Sequence, residues 1–278
     1  MKFDRRIIYL FVVIAIALPI IFPLNLKVKT TKEVLGVYDP IEKLPEGSKV
    51  LLVYDYEPSS GPELDPMASA VLSHCFEKKL KVVGMCMWIN TGAAIAEKNM
   101  TQVAKMYNKV NGTDYVNLGY KSGGYAVVLG MGDNIRETYP MDYHRRKLDE
   151  LPVMKGINQL RDFDYIVVIH DDSSVFSWIN YGYERYPDRV RIGTGCTAVM
   201  ATGNYPPLQA KQITGIIGGL KGASEYEKLI DYKRKHGKSG PATAGMDSQS
   251  VIHMFIILLI VLGNIMYFTV DKKKRNND

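Results

Sequence analysis

From Lys49 to Tyr56 the chain reads KVLLVYDY, and from Lys81 to Trp88 it reads KVVGMCMW. Each is an apolar run of strand length, the first closing on polar and acidic residues, as a strand buried on both faces does. Between them Pro62 and Pro66 suit the first turns of a helix, and Met67, Val71 and Cys75, with Ala68, Leu72 and Phe76, form an apolar stripe at four-residue spacing. A second helix is expected over 91–110, with Ile95, Val103, Met106, Tyr107 and Val110 turned inward. Strand, helix, strand, helix is the order of a parallel sheet with helical crossovers.

Outward from this core the rhythm continues. YVNLGY (115–120), the turn 121–124 and YAVVLGMG (125–132) read as further strand, with the strand count between Tyr115 and Gly132 open. A short helix is expected over 151–161, a strand at DYIVVIHD (164–171), a helix over 175–186 and one or two strands within 189–201. Pro206 and Pro207 read as the opening of a helix to about Ile230, with Ile213, Ile216, Ile217 and Leu220 on its buried side. The fold class is α/β, a three-layer doubly wound (Rossmann-like) mostly parallel sheet over 49–230. Gly215, Gly218, Gly219 and Gly222 would each weaken that last helix by up to about 1 kcal/mol. Close packing of another backbone, from the same chain or a second copy, would offset this.

The chain ends are of another kind. Ile7 to Phe22 reads IIYLFVVIAIALPIIF without a charge, and Leu24 and Leu26 extend it toward the roughly twenty residues a span needs. A cleaved signal peptide is the rival reading, but cutting after Ala17 would strand an apolar run on the new terminus. Pro19 would bend the helix near its outer end. Val251 to Val270 is apolar apart from His253 and Asn264, and the cations Lys272, Lys273, Lys274 and Arg275 follow it. The layout is then an N-terminus and first transmembrane helix (1–26), a connector (27–48), the α/β domain (49–230), a flexible polar tether (231–250), a second transmembrane helix (251–270) and a basic tail (271–278). Basic residues at both ends, with Lys2, Arg5 and Arg6 at the first, put both termini in the cytoplasm and the domain outside it. Asn264 and His253 are candidates for packing against a second membrane helix.

The net charge of +6 gathers at these flanks, and no Lys/Arg stripe interleaved with aromatics marks the domain. Nucleic acid is therefore excluded as a partner, and the lipid bilayer, another membrane protein or a second copy is expected. Cys75, Cys86 and Cys196 are odd in number and lack metal-ligand spacing, so Cys75 and Cys86 read as core residues. No complete nucleotide-binding glycine pattern exists, and no cofactor is expected.

In a parallel α/β sheet ligands gather beyond the carboxyl ends of the strands. That rule nominates Asp55, Glu57, Ser59, Ser60, Trp88, Asn90, Asp171, Asp172 and Thr197. The set is polar and acidic, suited to a hydroxylated or cationic ligand, or to a divalent metal on Asp55, Asp171 and Asp172. His170 and Cys196 each close a strand and are of the right types for a base-activated thiol. Cys196 stands in Gly-Cys-Thr, however, and His170 precedes Asp171, unlike the local pattern of caspase-like peptidases.

The succession GGLKGASEYE (218–227) and GMDSQSVIH (245–253) resembles a group of uncharacterised prokaryotic two-span membrane proteins with a central α/β domain. The resemblance implies the anchor-domain-anchor layout and an envelope setting, and no activity. The functional expectation is a membrane-anchored, non-catalytic binding or scaffolding protein, an accessory subunit of a membrane complex. A membrane-tethered Cys/His or metal-dependent hydrolase and a tethered solute receptor are the alternatives.

Overall fold

The computed structural model describes residues 5–268, and they form two units, one over 28–242 and one from the chain ends up to Lys27 and from Thr243. Lys2, the last two residues of the expected 251–270 span and the basic tail 271–278 lie outside the described residues. In chain order the elements are α1 (Arg5–Ile21), α2 (Lys32–Glu42), β1 (Lys49–Asp55), α3 (Gly61–Glu77), β2 (Lys81–Cys86), α4 (Thr91–Met106) and β3 (Tyr115–Tyr120). Then come α5 (Tyr125–Asp133), α6 (Ile135–Thr138), β4 (Tyr165–His170), α7 (Ser174–Trp178), β5 (Ile192–Cys196) and α8 (Ala198–Gln209). Last are β6 (Ile216–Gly218), α9 (Gly219–Leu229), α10 (Tyr232–His236) and α11 (Pro241–Met266).

All six strands pair in parallel, in the order β3-β2-β1-β4-β5-β6. The order turns at β1 and β4, which open a crevice beyond their carboxyl ends because the chain leaves them in opposite directions. Alternation along β1 sends Val50, Leu52 and Tyr54 to one face and Leu51 and Val53 to the other. The first face packs Val34, Val37 and Ile41 of α2 with apolar residues of α3, α4 and α9. The second packs Val127, Val128 and Met131 of α5, Val175 and Trp178 of α7, and Leu148, Met154, Ile157 and Leu160 from irregular chain. This is the expected three-layer α/β architecture.

Several local expectations are corrected. The run 125–132 is helix α5, because Gly123 and Gly124 turn the chain at positive φ and its apolar residues then fall at helical spacing. Residues 151–161 form 3-10 turns at 152–154 and 160–162 in place of a helix. The helix over 175–186 is α7 followed by one π-turn, Ile179–Tyr183, and 189–201 holds a single strand. The long helix from Pro206 to Ile230 is three elements. Pro206 and Pro207 lie in the last turn of α8, the β-branched stretch after them feeds edge strand β6, and α9 starts at Gly219 with φ +58°.

Of the four glycines assigned to that helix, Gly219 and Gly222 alone lie in α9. Gly215 precedes β6 and meets Gly36 of α2 backbone to backbone. A Cβ on Gly215 would stand 2.4 Å from the Glu33 carbonyl oxygen, and one on Gly36 would stand 2.2 Å from that of Thr214. The close approach is intramolecular. The connector 27–48 contains α2 and so belongs to the domain, while the polar stretch 231–250 holds α10 and the first turns of α11 in place of a flexible tether. Polar composition misleads there because Glu227 accepts the Ala242 N–H at 2.9 Å, fixing the start of α11.

In the other unit, α11 is the one described helix long and apolar enough to cross a bilayer, with mean hydropathy 2.1 over its best window. At 17 residues α1 is apolar but short. Asp247 accepts the N–H groups of Asn25 (2.7 Å) and Leu26 (3.0 Å), Ser248 donates to the Ile16 carbonyl (2.7 Å), and the rings of Phe11 and Phe255 lie 6.4 Å apart. Asn264 donates to the Ile260 carbonyl of its own helix at 2.9 Å, and His253 is exposed. The bond to the preceding turn occupies one donor of the Asn264 amide.

Candidate functional site

A crevice of about 650 Å³ opens at the carboxyl ends of the strands, where the sheet order reverses. Glu57, Ser59 and Ser60 line it after β1, Trp88 and Ile89 after β2, Asp171 and Asp172 after β4, and Thr197, Val199 and Met200 after β5. Glu63 of α3 closes one side. Seven of the nominated residues therefore meet in one place, although Asp55 lies buried outside the lining and Asn90 is exposed at the start of α4. The sequence did not point to Glu63, Val199 or Met200, which arrive by packing from α3 and α8 and follow no apolar run.

Three carboxylates of the rim are tied to backbone, Asp172 among them through the Ser174 N–H at 2.8 Å. Asp171 accepts the Glu57 N–H at 2.9 Å, and Glu63 accepts the Ala198 N–H at 3.0 Å, where it caps α8. Among the described residues no lysine or arginine lines the crevice, so its four carboxylates set a negative field in it. Opposite them stand apolar surfaces. Trp88 is 45% exposed and Val199 84%, a degree of exposure for large apolar groups that suits contact with a ligand.

Below the crevice, the strand registers align Asp55 with His170 and His170 with Cys196 across β1, β4 and β5. Strands stand roughly 4.8 Å apart, so these three side chains form a row on one face of the sheet. All three are fully buried. Asp55 Oδ1 accepts the N–H groups of Met87 (2.8 Å) and Trp88 (3.1 Å), which draws the end of β2 toward β1. Burial pushes the Asp55 carboxyl up to about 7, and the neighbouring Asp172 carboxylate adds to the rise. Asp172 is itself raised by burial, with Asp171 contributing.

The His170–Cys196 pair is adjacent, yet it is not an activated nucleophile. Burial holds His170 down to about 4 and lifts the Cys196 thiol to about 12, so both are neutral at pH 7. His170 Nδ1–H donates to the Asp172 carbonyl at 2.7 Å, its Nε2 has no partner, and Cys196 Sγ accepts from Asn204 at 3.5 Å. The base thus makes no hydrogen bond to the thiol it would have to deprotonate. Cys75 and Cys86 are buried and free, as core residues should be. Asp55, Asp171 and Asp172 do not converge as metal ligands, and among the described residues no group of three or more His, Cys, Asp or Glu could hold a metal ion.

Six buried polar atoms around this row lack a well-formed hydrogen bond among the described residues: Asp55 Oδ2, Asp172 Oδ2, His170 Nε2, Ser174 Oγ, Trp178 Nε1 and Asn204 Oδ1, with the Ser174 hydroxyl close to both carboxylates. Such atoms are rare in a folded chain, and their concentration under one crevice marks it apart from an ordinary polar sheet end. Asp55 and His170 were legible as residues closing apolar runs. Ser174, Trp178 and Asn204 were not, since α7 and α8 bring them in from outside any strand. Comparison of the chain with protein-family models, with curated proteins and with solved structures finds no match to any of them.

Proposed function

We propose that this chain is a membrane-anchored, non-catalytic binding protein of the cell envelope, whose α/β unit holds a small polar ligand in the crevice beyond β1 and β4. The observation that carries the reading is the crevice itself. Its volume of about 650 Å³ falls in the range of small-molecule sites, and it joins carboxylates on one side to exposed Trp88 and Val199 on the other. The anchoring part rests on the apolar helices α1 and α11, with both termini cytoplasmic and the α/β unit on the outer side. Work beside another membrane protein or a second copy belongs to the same reading.

The test uses the full chain in detergent, extracted gently so that companions stay bound. A panel of amines, amino acids, polyols and organic acids is screened by thermal shift and by the fluorescence of Trp88, with Trp88→Phe leaving buried Trp178 as the background. A ligand that quenches Trp88 and is weakened about tenfold or more by the double change Glu57→Gln, Asp171→Asn fits the proposal. Failure of the whole panel, together with a stoichiometric protein companion, would replace a solute receptor by a scaffold.

A thiol hydrolase is the second reading, favoured by the register that sets His170 beside Cys196. Its weakness is chemical. With the thiol at about 12 and the imidazole at about 4, proton transfer from sulfur to nitrogen is uphill by several pH units, and both groups are closed from water.

A further inference from the structure

The unpartnered atoms beneath the crevice have a chemical sign. Asp55 Oδ2 and Asp172 Oδ2 accept hydrogen bonds. His170 Nδ1 bonds a carbonyl and must carry the ring proton, so Nε2 is an acceptor too. Asn204 donates through its Nδ2 to the Met200 carbonyl at 3.0 Å, which leaves Oδ1 as a fourth acceptor. Against these four stand the Trp178 Nε1–H as an obligate donor and the Ser174 hydroxyl, which faces both Asp55 and Asp172 and can donate to one of them at a time.

Asp172 links this layer to the open space above. One of its oxygens accepts the Ser174 N–H at 2.8 Å, the other is unpartnered, and the residue lines the crevice. Asp55 lies close enough for the two carboxylates to repel, yet neither is in an ion pair among the described residues. A neutral polyol would leave that repulsion in place, an anion would add to it, and a bare metal ion lacks the ligands to hold it.

Resting on the crevice as the ligand site, we propose that the ligand is an organic cation with N–H donors on an apolar body. Its ammonium end sits on Asp172 above Asp55, and its body lies against Trp88, Val199 and Met200. The cation adds a donor at Asp172 and neutralises a carboxylate pair that has one hydroxyl, Ser174, between its two members, while an aromatic face beside the site adds attraction for positive charge.

A proton linkage follows. The groups facing Asp55 are Cys86 from β2, His170 from β4, Asp172 and Ser174 after β4, and Tyr139 after α6. Cys86 and Tyr139 are held above their usual range and His170 well below its own, so all three stay uncharged between pH 5 and 8. Over that interval Asp55 changes charge, titrating near 7. A cation seated above them binds more weakly as the pH falls and a proton takes its place.

The experiment titrates the full chain with three isosteres, phenethylammonium, 2-phenylethanol and 3-phenylpropanoate, by calorimetry and Trp88 fluorescence at pH 8 and pH 6. The amine keeps its charge at both values because its pKa lies near that of lysine, about 10.4. The expected result is binding of the amine at least about tenfold tighter than of the alcohol at pH 8, weakening about tenfold at pH 6. Asp55→Asn, which keeps an acceptor for the Met87 and Trp88 N–H groups, removes the pH dependence. Asp172→Asn, at a partly exposed position, weakens the amine whether or not the Asp55 variant folds. Equal or tighter binding of the alcohol or the carboxylate overturns the cation assignment and leaves the crevice as a ligand site. No binding of any of the three at millimolar concentration overturns both.

Discussion

Asp55 sits in the sheet with no cation beside it, and the sign of its effect on stability can be worked out. Its folded value near 7 lies above the unfolded value of about 3.9, so between those limits the folded chain keeps a proton that the unfolded chain has lost. Stability falls as the pH rises through that window, by up to about 4 kcal/mol at 1.36 kcal/mol per unit. His170 runs the other way. Its folded value near 4 lies below the unfolded value of about 6.5, so its contribution grows as the pH rises from about 4 to 6.5. The two slopes oppose each other in the parent. Asp55→Asn should unmask the His170 slope and stabilise the chain at pH 8 by on the order of 1–4 kcal/mol, read by thermal unfolding at pH 4.5, 6.5 and 8. Unchanged stability at pH 8 would contradict a buried ionised carboxylate.

The same burial makes Cys196 inert. A thiol near 12 is about 10⁻⁴ thiolate at pH 8, so iodoacetamide should leave it unmodified in the native chain and label it after denaturation. Rapid native labelling would revive the hydrolase. Both residues were visible in the sequence as polar side chains closing apolar runs, and their alignment required only that the runs pair in parallel. Their protonation states were not visible, because they depend on α7 and α8 covering the row, and nothing in the spacing of those segments announces it.

At the scale of elements, α2 and the chain entering β6 cross through Gly36 and Gly215 without side chains between them. Gly215→Ala should cost at least about 3 kcal/mol, since the added methyl meets backbone on α2 that cannot rotate away. Gly47→Ala supplies a strain control, having a positive φ but open space around the glycine, and should cost about 1 kcal/mol. Urea unfolding of the two variants separates contact from backbone strain, and equal losses would refute the crossing. The apolar runs at 49–56, 81–88 and 164–171 were legible as strands because β-branched and aromatic residues filled them continuously. The region 198–230 was not, because Pro206 and Pro207 are strong signals for a helix start and here occupy a helix end. The glycines after them suggested a weakened helix, where they permit a close crossing and a left-handed start to α9.

At the scale of the whole molecule, α11 has the length and hydropathy of a span, and within the unit the chain ends form α1 joins it through Ser248 and the Phe11–Phe255 contact, with Asp247 holding the chain just after α1 at Asn25 and Leu26. The proposed anchoring predicts that the full chain stays with membranes in alkaline carbonate, and that removing residues from 251 onward weakens this retention without abolishing it, since α1 remains. Release of the full chain without detergent would remove the membrane from the proposal. Composition made the apolar ends plain. It did not reveal that 28–48 and 231–242 belong to the folded α/β unit, because polar segments bind a domain through a few specific hydrogen bonds that average hydropathy does not register.

Those few bonds converge on α9. Glu225 accepts the N–H and the hydroxyl of Thr31, each at 2.8 Å, and pairs with Lys221, while Glu227 holds Ala242. The strand of chain that arrives and the one that departs are thus moored on either side of one helix, roughly 10 Å across. A segment whose two ends meet so closely behaves as a cassette. It could be cut out and closed on itself by a short loop, or opened at a distant turn into a permuted ring, with its six strands still in their native order.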